Sequence, residues 1–200
     1  GNRLLAQQAF PSIAVIVPAT DAPETLPECL HAIKAALHPE DELIVVTEPR
    51  SFGPAAARNA GARRATANVL LFVDADVVIH PDAVARIRAA FGLDPGLTAV
   101  FGSYDDGPAS RALVAQFRNL LHHHVHHRHP GVAATFWSGL GAIRREEFLE
   151  MGGFDTERYP VSSVEDVELG MRLRAHGMRI ELHPLTQGTH LKRWTLPSMV

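Results

Sequence analysis

Val69-Leu70-Leu71-Phe72-Val73-Asp74-Ala75-Asp76 is an apolar run that stops in two carboxylates separated by one residue. Five consecutive apolar residues, rich in Val and Leu, describe a strand buried on both faces of a parallel sheet. Open α/β sheets hold their ligands at the carboxyl ends of the strands, which is where Asp74 and Asp76 fall. Two hard oxygen donors there suit a divalent cation, and Mg²⁺ takes one or two carboxylates together with a substrate's phosphates. A plain turn accounts for the same residues, because Asp is frequent where strands end.

Upstream, residues 13–17 read as another buried strand closed by Pro18, with a loop through Pro23. Residues 23 to about 37 are helical in pattern, with Leu26, Leu30, Ile33 and Leu37 on one face. Residues 43–46 form the next strand, and Pro54 suits the first turn of the helix that follows. That helix is small-sided, which predicts that it lies close to the sheet. Three strands alternating with two helices point to a parallel sheet with right-handed crossovers. A helix over residues 81–91 and a strand over residues 97–103 complete what looks like a nucleotide-binding half. No glycine fingerprint or P-loop consensus follows the first strand, which speaks against a dinucleotide or NTPase site.

The second half is less regular. A long helix is predicted from residue 109 to about 127, carrying the run His122-His123-His124-Val125-His126-His127-Arg128-His129. On a helix His122, His126 and His129 lie on one side and His123 and His127 on another, so they cannot all share one ion. We read a polar helix near an acceptor cleft with incidental Ni²⁺ or Zn²⁺ affinity, a dedicated metal site being the alternative. Residues 135–138 and 141–143 bracket a glycine-rich bend, as two short strands or a strand and a loop. Short helices follow over residues 146–151, stopped by Gly152-Gly153, and 164–176, stopped by Gly177. A strand over residues 178–183 leads to Gly188-Thr189-His190.

Two hundred residues without a repeat or linker fit one domain. The composition, 46% hydrophobic and 20% charged, is that of a soluble globular protein. A net charge of -3 gives no global attraction to nucleic acid or membrane. Cys29 stands alone, which excludes an internal disulfide framework and agrees with a reducing compartment. No apolar run approaches the roughly 18 to 20 residues that span a bilayer, and the amino terminus lacks a signal-peptide profile. A start at Gly1 without Met leads us to expect a piece of a longer protein, with any membrane segments outside it.

Three other segments supply what a metal and a phosphorylated ligand need. In Ser162-Ser163-Val164-Glu165-Asp166, Ser162 and Glu165 read as a capping box, while Asp166 can point elsewhere and take a proton as general base. Capping alone also explains these acids. His190 can complete a shell begun by a carboxylate, with Lys192 or Arg193 neutralising phosphate; a surface turn before a basic strand is the plainer account. Arg58 can grip a diphosphate or a base edge with its fork, or can share a solvated helix face with Arg63 and Arg64.

In order, the strand ending in Pro18, Ala57-Arg58-Asn59-Ala60-Gly61, Asp74-Ala75-Asp76, Gly152-Gly153-Phe154-Asp155 and Glu165-Asp166-Val167-Glu168-Leu169 with Arg172-Leu173 resemble a family 2 glycosyltransferase of the GT-A fold. The resemblance implies an α/β architecture with a mostly parallel central sheet and helices on both faces. It implies a nucleotide-sugar-binding half over about residues 12–106 and an acceptor and catalytic half over about 107–196. Asp76 and His190 are then ligands of Mg²⁺ or Mn²⁺. Pro18, Thr20, Thr47, Glu48, Arg58, Asp74 on the ribose side and Arg193 would contact a UDP- or GDP-sugar. Asp166 is the implied general base, with Trp137, Ser138, Gly139 and Glu165 near the acceptor.

The implied reaction moves one sugar, with inversion, to a hydroxyl of a glycan or lipid-linked acceptor. A cytoplasmic location is expected, with membrane association through segments outside this chain and no nucleic-acid partner. Two departures narrow the picture. Thr47-Glu48 stands where many relatives have Asp-Asp to grip the base, and His190 stands where processive relatives carry Gln, which favours transfer of single sugars. The competing readings are a nucleotidyltransferase on a related sheet, disfavoured by the lack of a glycine-rich lysine-bearing loop, and a non-catalytic sugar-nucleotide or metal-binding module.

Overall fold

The computed structural model describes residues 10–105, 135–159 and 164–191. The expected helix over residues 109–127 with its histidine run, Ser162, and Lys192 to Trp194 lie outside the described residues.

Strands β1 (Ile13–Pro18), β2 (Glu42–Val46) and β3 (Val69–Val73) form the parallel part of the sheet, with β1 in the middle. All of β3 is buried, as its unbroken apolar run requires. Side chains alternate across the sheet. Ala14, Ile16, Leu70 and Phe72 pack on one face with Ala57 and Ala62 of α2 (Pro54–Arg64). Ile13, Val15, Val69 and Leu71 pack on the other with Cys29 and Ile33 of α1 (Leu26–Ala36). The small side of α2 brings it against the sheet as expected. A Cβ on Gly61 would stand 2.5 Å from the Ile16 Cγ2 methyl.

Beyond β3 the sheet becomes mixed. Strand β6 (Leu140–Arg144) is inserted antiparallel between β3 and β5 (Leu97–Tyr104). Strand β7 (Arg179–His190) runs parallel to β5, and the short β4 (Val77–Ile79) pairs antiparallel with its end. The order is β2-β1-β3-β6-β5-β7-β4. Helix α3 (Ala83–Leu93) covers the α1 face, while α4 (Arg145–Glu150) and α5 (Glu165–Ala175) cover the α2 face.

Two elements differ from the sequence expectation. The three residues of β4 are too few to show a period, and only the partner β7 reveals them as a strand. The strand expected over residues 178–183 continues through Pro184 to His190, with irregular pairing between Phe101 and Ser103 opposite. A proline is tolerated where a ladder is already interrupted. Of the two alternatives for residues 135–143, a loop followed by one strand is observed. Gly152, Gly153 and Gly177 take positive φ after α4 and α5, the stop expected of them. Among the described residues no helix is long and apolar enough to cross a membrane.

Candidate active site

The Asp74-Ala75-Asp76 segment is a turn, and the turn is what presents its carboxylates. Val77 N–H donates to the Asp74 carbonyl at 3.0 Å, closing the bend, and Asp74 N–H donates to the Gly139 carbonyl at 3.1 Å. Thr25 Oγ1, at the start of α1, donates to the Ala75 carbonyl at 2.9 Å, and Leu191 N–H to the Asp76 carbonyl at 2.8 Å. With the backbone tied on every side, both side chains are left to project from the strand end. The turn, one of the two alternatives at the level of sequence, is thus compatible with the other.

Asp76 Oδ2 lies 3.1 Å from His190 Nε2. The pairing of β4 with β7 makes this contact, setting Val77 opposite His190. Both side chains keep partial exposure, 31% for Asp76 and 23% for His190. Among the described residues no group of three or more His, Cys, Asp or Glu side chains gathers as a metal cage. One carboxylate and one imidazole fit a divalent transition-metal cation that completes its shell with substrate phosphates.

An open cleft of about 340 Å³ runs along the strand ends and is lined by Pro18, Thr20, Arg50, Phe52, Arg58, Asp74 and Asp76, among others. Its size is that of a small-molecule site. Thr20 Oγ1 donates to the Phe52 carbonyl at 2.7 Å and so ties two of its walls together. Thr47 and Glu48 are exposed and stand outside this lining. The chain turns outward after β2, and Glu48 accepts from Arg50 N–H at 3.1 Å. Arg50 and Phe52, which no motif singled out, form the wall instead.

Arg58 corrects one of the alternatives offered for it, and it lines the cleft as the other requires. Far from sharing a solvated face, it is 4% exposed. Its Nη2 donates to Asp74 Oδ1 at 2.6 Å, and its Nη1 stands 3.5 Å from Glu165 Oε1. The guanidinium therefore holds Asp74 in place at the edge of the cleft. Glu165 also faces Arg58, with its side chain 4% exposed. The residue flanking α5 at its start is Val164.

Asp166 follows on the first turn of α5. Ser138 N–H and Oγ–H both donate to Asp166 Oδ2, at 3.2 and 3.4 Å. Burial pushes its carboxyl above the usual aspartate range, against the lowering effect of the Ser138 N–H and of the Arg58 charge. A carboxylate so raised is a better proton acceptor. Ser138 is buried, and Gly139 is needed beside it, since a Cβ there would fall 2.3 Å from the Trp137 ring. Trp137 is partly buried, edge-on to Tyr104 with ring centroids 4.7 Å apart. Arg193 lies outside the described residues.

Comparison with known proteins accords with this geometry. The family model described as "N-terminal domain of galactosyltransferase" matches residues 119–193. The O-antigen biosynthesis protein RfbC of Myxococcus xanthus is 28% identical over 94% of this chain and 16% of its own length. The validoxylamine A glucosyltransferase of Streptomyces hygroscopicus subsp. jinggangensis is 30% identical over 67% of this chain and 38% of its own. The chain thus spans well under half the length of these curated relatives. Among solved structures, the mannosyltransferase PcManGT from Pyrobaculum calidifontis, in complex with GDP-Man and Mn²⁺, superposes with a TM-score of 0.64 at 23% identity, over 92% of this chain and 57% of that one. GalNAc-T7 with UDP, GalNAc and Mn²⁺ superposes with a TM-score of 0.66 at 16% identity, over 92% and 44%. These two are glycosyltransferases of the same GT-A fold. The model of "Glycosyl transferase family 2" matches residues 44–150, from β2 through the aspartate turn to α4, and the chain belongs to that family.

Proposed function

We propose that this chain is a metal-dependent, inverting glycosyltransferase domain that moves a single sugar from a nucleoside-diphosphate sugar to a hydroxyl of a glycan or lipid-linked acceptor. The observation that carries the reading is the meeting of Asp76 with His190, 114 positions apart in the chain, at the edge of a cleft. The nucleotide and Mn²⁺ named with the two fold neighbours support the same choice of ligands.

Asp76 and His190 would hold Mn²⁺ or Mg²⁺, which when bound neutralises charge on the departing diphosphate. Pro18, Thr20 and Asp74 would cradle the nucleoside, with Arg58 acting through Asp74. Asp166 takes the proton of the acceptor hydroxyl as that oxygen bonds to the anomeric carbon. The bond from that carbon to the diphosphate oxygen breaks, and its electron pair leaves with the nucleoside diphosphate. A single displacement inverts the carbon. Ser138 and Trp137 lie on the Asp166 side and would border the acceptor. Residues 12–106 would thus serve the donor and 107–196 the acceptor. The name of the Myxococcus relative, an O-antigen biosynthesis protein, supports an envelope glycan as the acceptor, and the proposed place of transfer is the cytoplasm or the cytoplasmic membrane face.

The test is nucleoside diphosphate release from a panel of UDP-, GDP- and dTDP-sugars with Mn²⁺ and candidate acceptors. Release that disappears with EDTA and in Asp76→Ala, giving product of inverted anomeric configuration by NMR, is expected. Undiminished release in metal-free buffer would sink the metal role, and pyrophosphate exchange in its place would indicate a nucleotidyltransferase.

A further inference from the structure

Tyr104 belongs to none of the motifs that lead to the site, yet it links the two ends of it. It is the last residue of β5. Its ring lies against that of His190, with centroids 4.9 Å apart and planes inclined by 31°, and meets Trp137 edge-on at 4.7 Å and 86°. Burial, and after it the charges of Asp74 and Asp76, push the phenol pKa up, which places the ring in the field of both carboxylates.

The backbone of His190 is fixed independently of that ring. His190 pairs with Val77, and Thr189 Oγ1 donates to Asp105 Oδ2 at 2.5 Å, an oxygen that His80 Nε2 also approaches at 2.6 Å. These contacts determine where the imidazole is attached, but they leave its own torsions free. Its Nε2 reaches Asp76 Oδ2 at 3.1 Å in one setting of those torsions. A flat ring against one imidazole face would restrict those settings, and the T-shaped contact with Trp137 would keep that flat ring in place.

We propose that Tyr104 is a positioning residue: by stacking on His190 it holds Nε2 toward Asp76, so that the two can share one divalent cation. This rests on the assignment of Asp76 and His190 as cation ligands. Residues that orient metal ligands cost about 10- to 100-fold in affinity when changed. The ring face does this work and the hydroxyl does not, so phenylalanine suffices.

The experiment titrates Mn²⁺ into the full chain, alone and then with UDP and with GDP, following free Mn²⁺ by electron paramagnetic resonance. Tyr104→Phe should keep the affinity within about twofold, while Tyr104→Leu, which fills the space without a flat face, should weaken it about tenfold or more. In a His190→Ala background Tyr104→Leu should add no further loss, because the residue acts only through His190. Should Tyr104→Leu be poorly folded by circular dichroism, Tyr104→Met is read in its place. Unchanged affinity in Tyr104→Leu, or an equal further loss on top of His190→Ala, would overturn the proposal. An unaffected affinity in His190→Ala itself would instead remove the cation assignment, and Tyr104's role with it.

Discussion

At the scale of single residues, the ionisable groups divide their work by environment. Arg58 is almost wholly buried between Asp74 and Glu165, and a cation there holds carboxylates more firmly than an exposed pair could. The carboxyl of Asp166 is raised chiefly by burial. Two consequences follow from that sign. The base must be ionised to act, so the acid limb of kcat/KM should lie above the usual aspartate range; a limb at or below it would contradict the assignment. A carboxyl whose folded pKa is raised contributes stability below its unfolded pKa and loses it as pH rises through the folded value. Asp166→Asn should therefore unfold at a higher temperature than the parent at neutral pH, with the gain fading in acid, while turnover falls by about 10² to 10⁴. Thermal melts at pH 4 and pH 7.5 beside a rate measurement check both. Of these residues Asp74, Asp76, Asp166 and His190 were singled out in the sequence as candidates, and the structure brings Asp76 and His190 together. The burial of Glu165 and Arg58 was not legible, because adjacent acids and a basic helix both look solvated. Tyr104 left no local signal at all.

At the scale of elements, helix α5 carries Asp166 and must sit close to the loop that carries Ser138. Gly170 makes that approach feasible. A Cβ there would lie 2.4 Å from the Phe136 backbone nitrogen, and that backbone has no flexible end to swing aside. Gly170→Ala should consequently push α5 away, despite alanine's better helix propensity. Denaturant unfolding should show a loss of about 1 to 3 kcal/mol, where a free helix face would show a gain. Turnover should fall with it, since the Ser138 to Asp166 hydrogen bonds span this same junction. A glycine inside a helical pattern is a readable sign of close packing, although Gly170 was not singled out from the sequence. The short β4 offered no such sign. Its three residues become a strand only because β7 arrives beside them.

At the scale of the whole molecule, the cleft gathers the ends of β1 and β3 with the loop before α2, and β7 brings His190 to its edge at Asp76, so ligand binding should stabilise the domain as a unit. Mn²⁺ together with the matching nucleoside diphosphate at about a hundred times its Kd should add about 2.7 kcal/mol. Differential scanning fluorimetry would read this as a raised Tm, absent in Asp76→Ala and absent when the nucleotide is given with EDTA. A shift of equal size in Asp76→Ala would place the metal elsewhere.

What the sequence determined by itself is what short-range pattern encodes. Unbroken apolar runs made β1 and β3 central strands, the small side chains of α2 brought it close to the sheet, and carboxylates at strand and helix ends marked where ligands could go. What only the tertiary structure decided depends on partners far apart in the chain. The antiparallel insertion of β6, the pairing of His190 with Asp76, the burial of Arg58 beside Glu165 and the stacking of Tyr104 all join segments that no local period connects. Propensity and periodicity act over a few residues, whereas burial and pairing are settled only when the sheet closes around them.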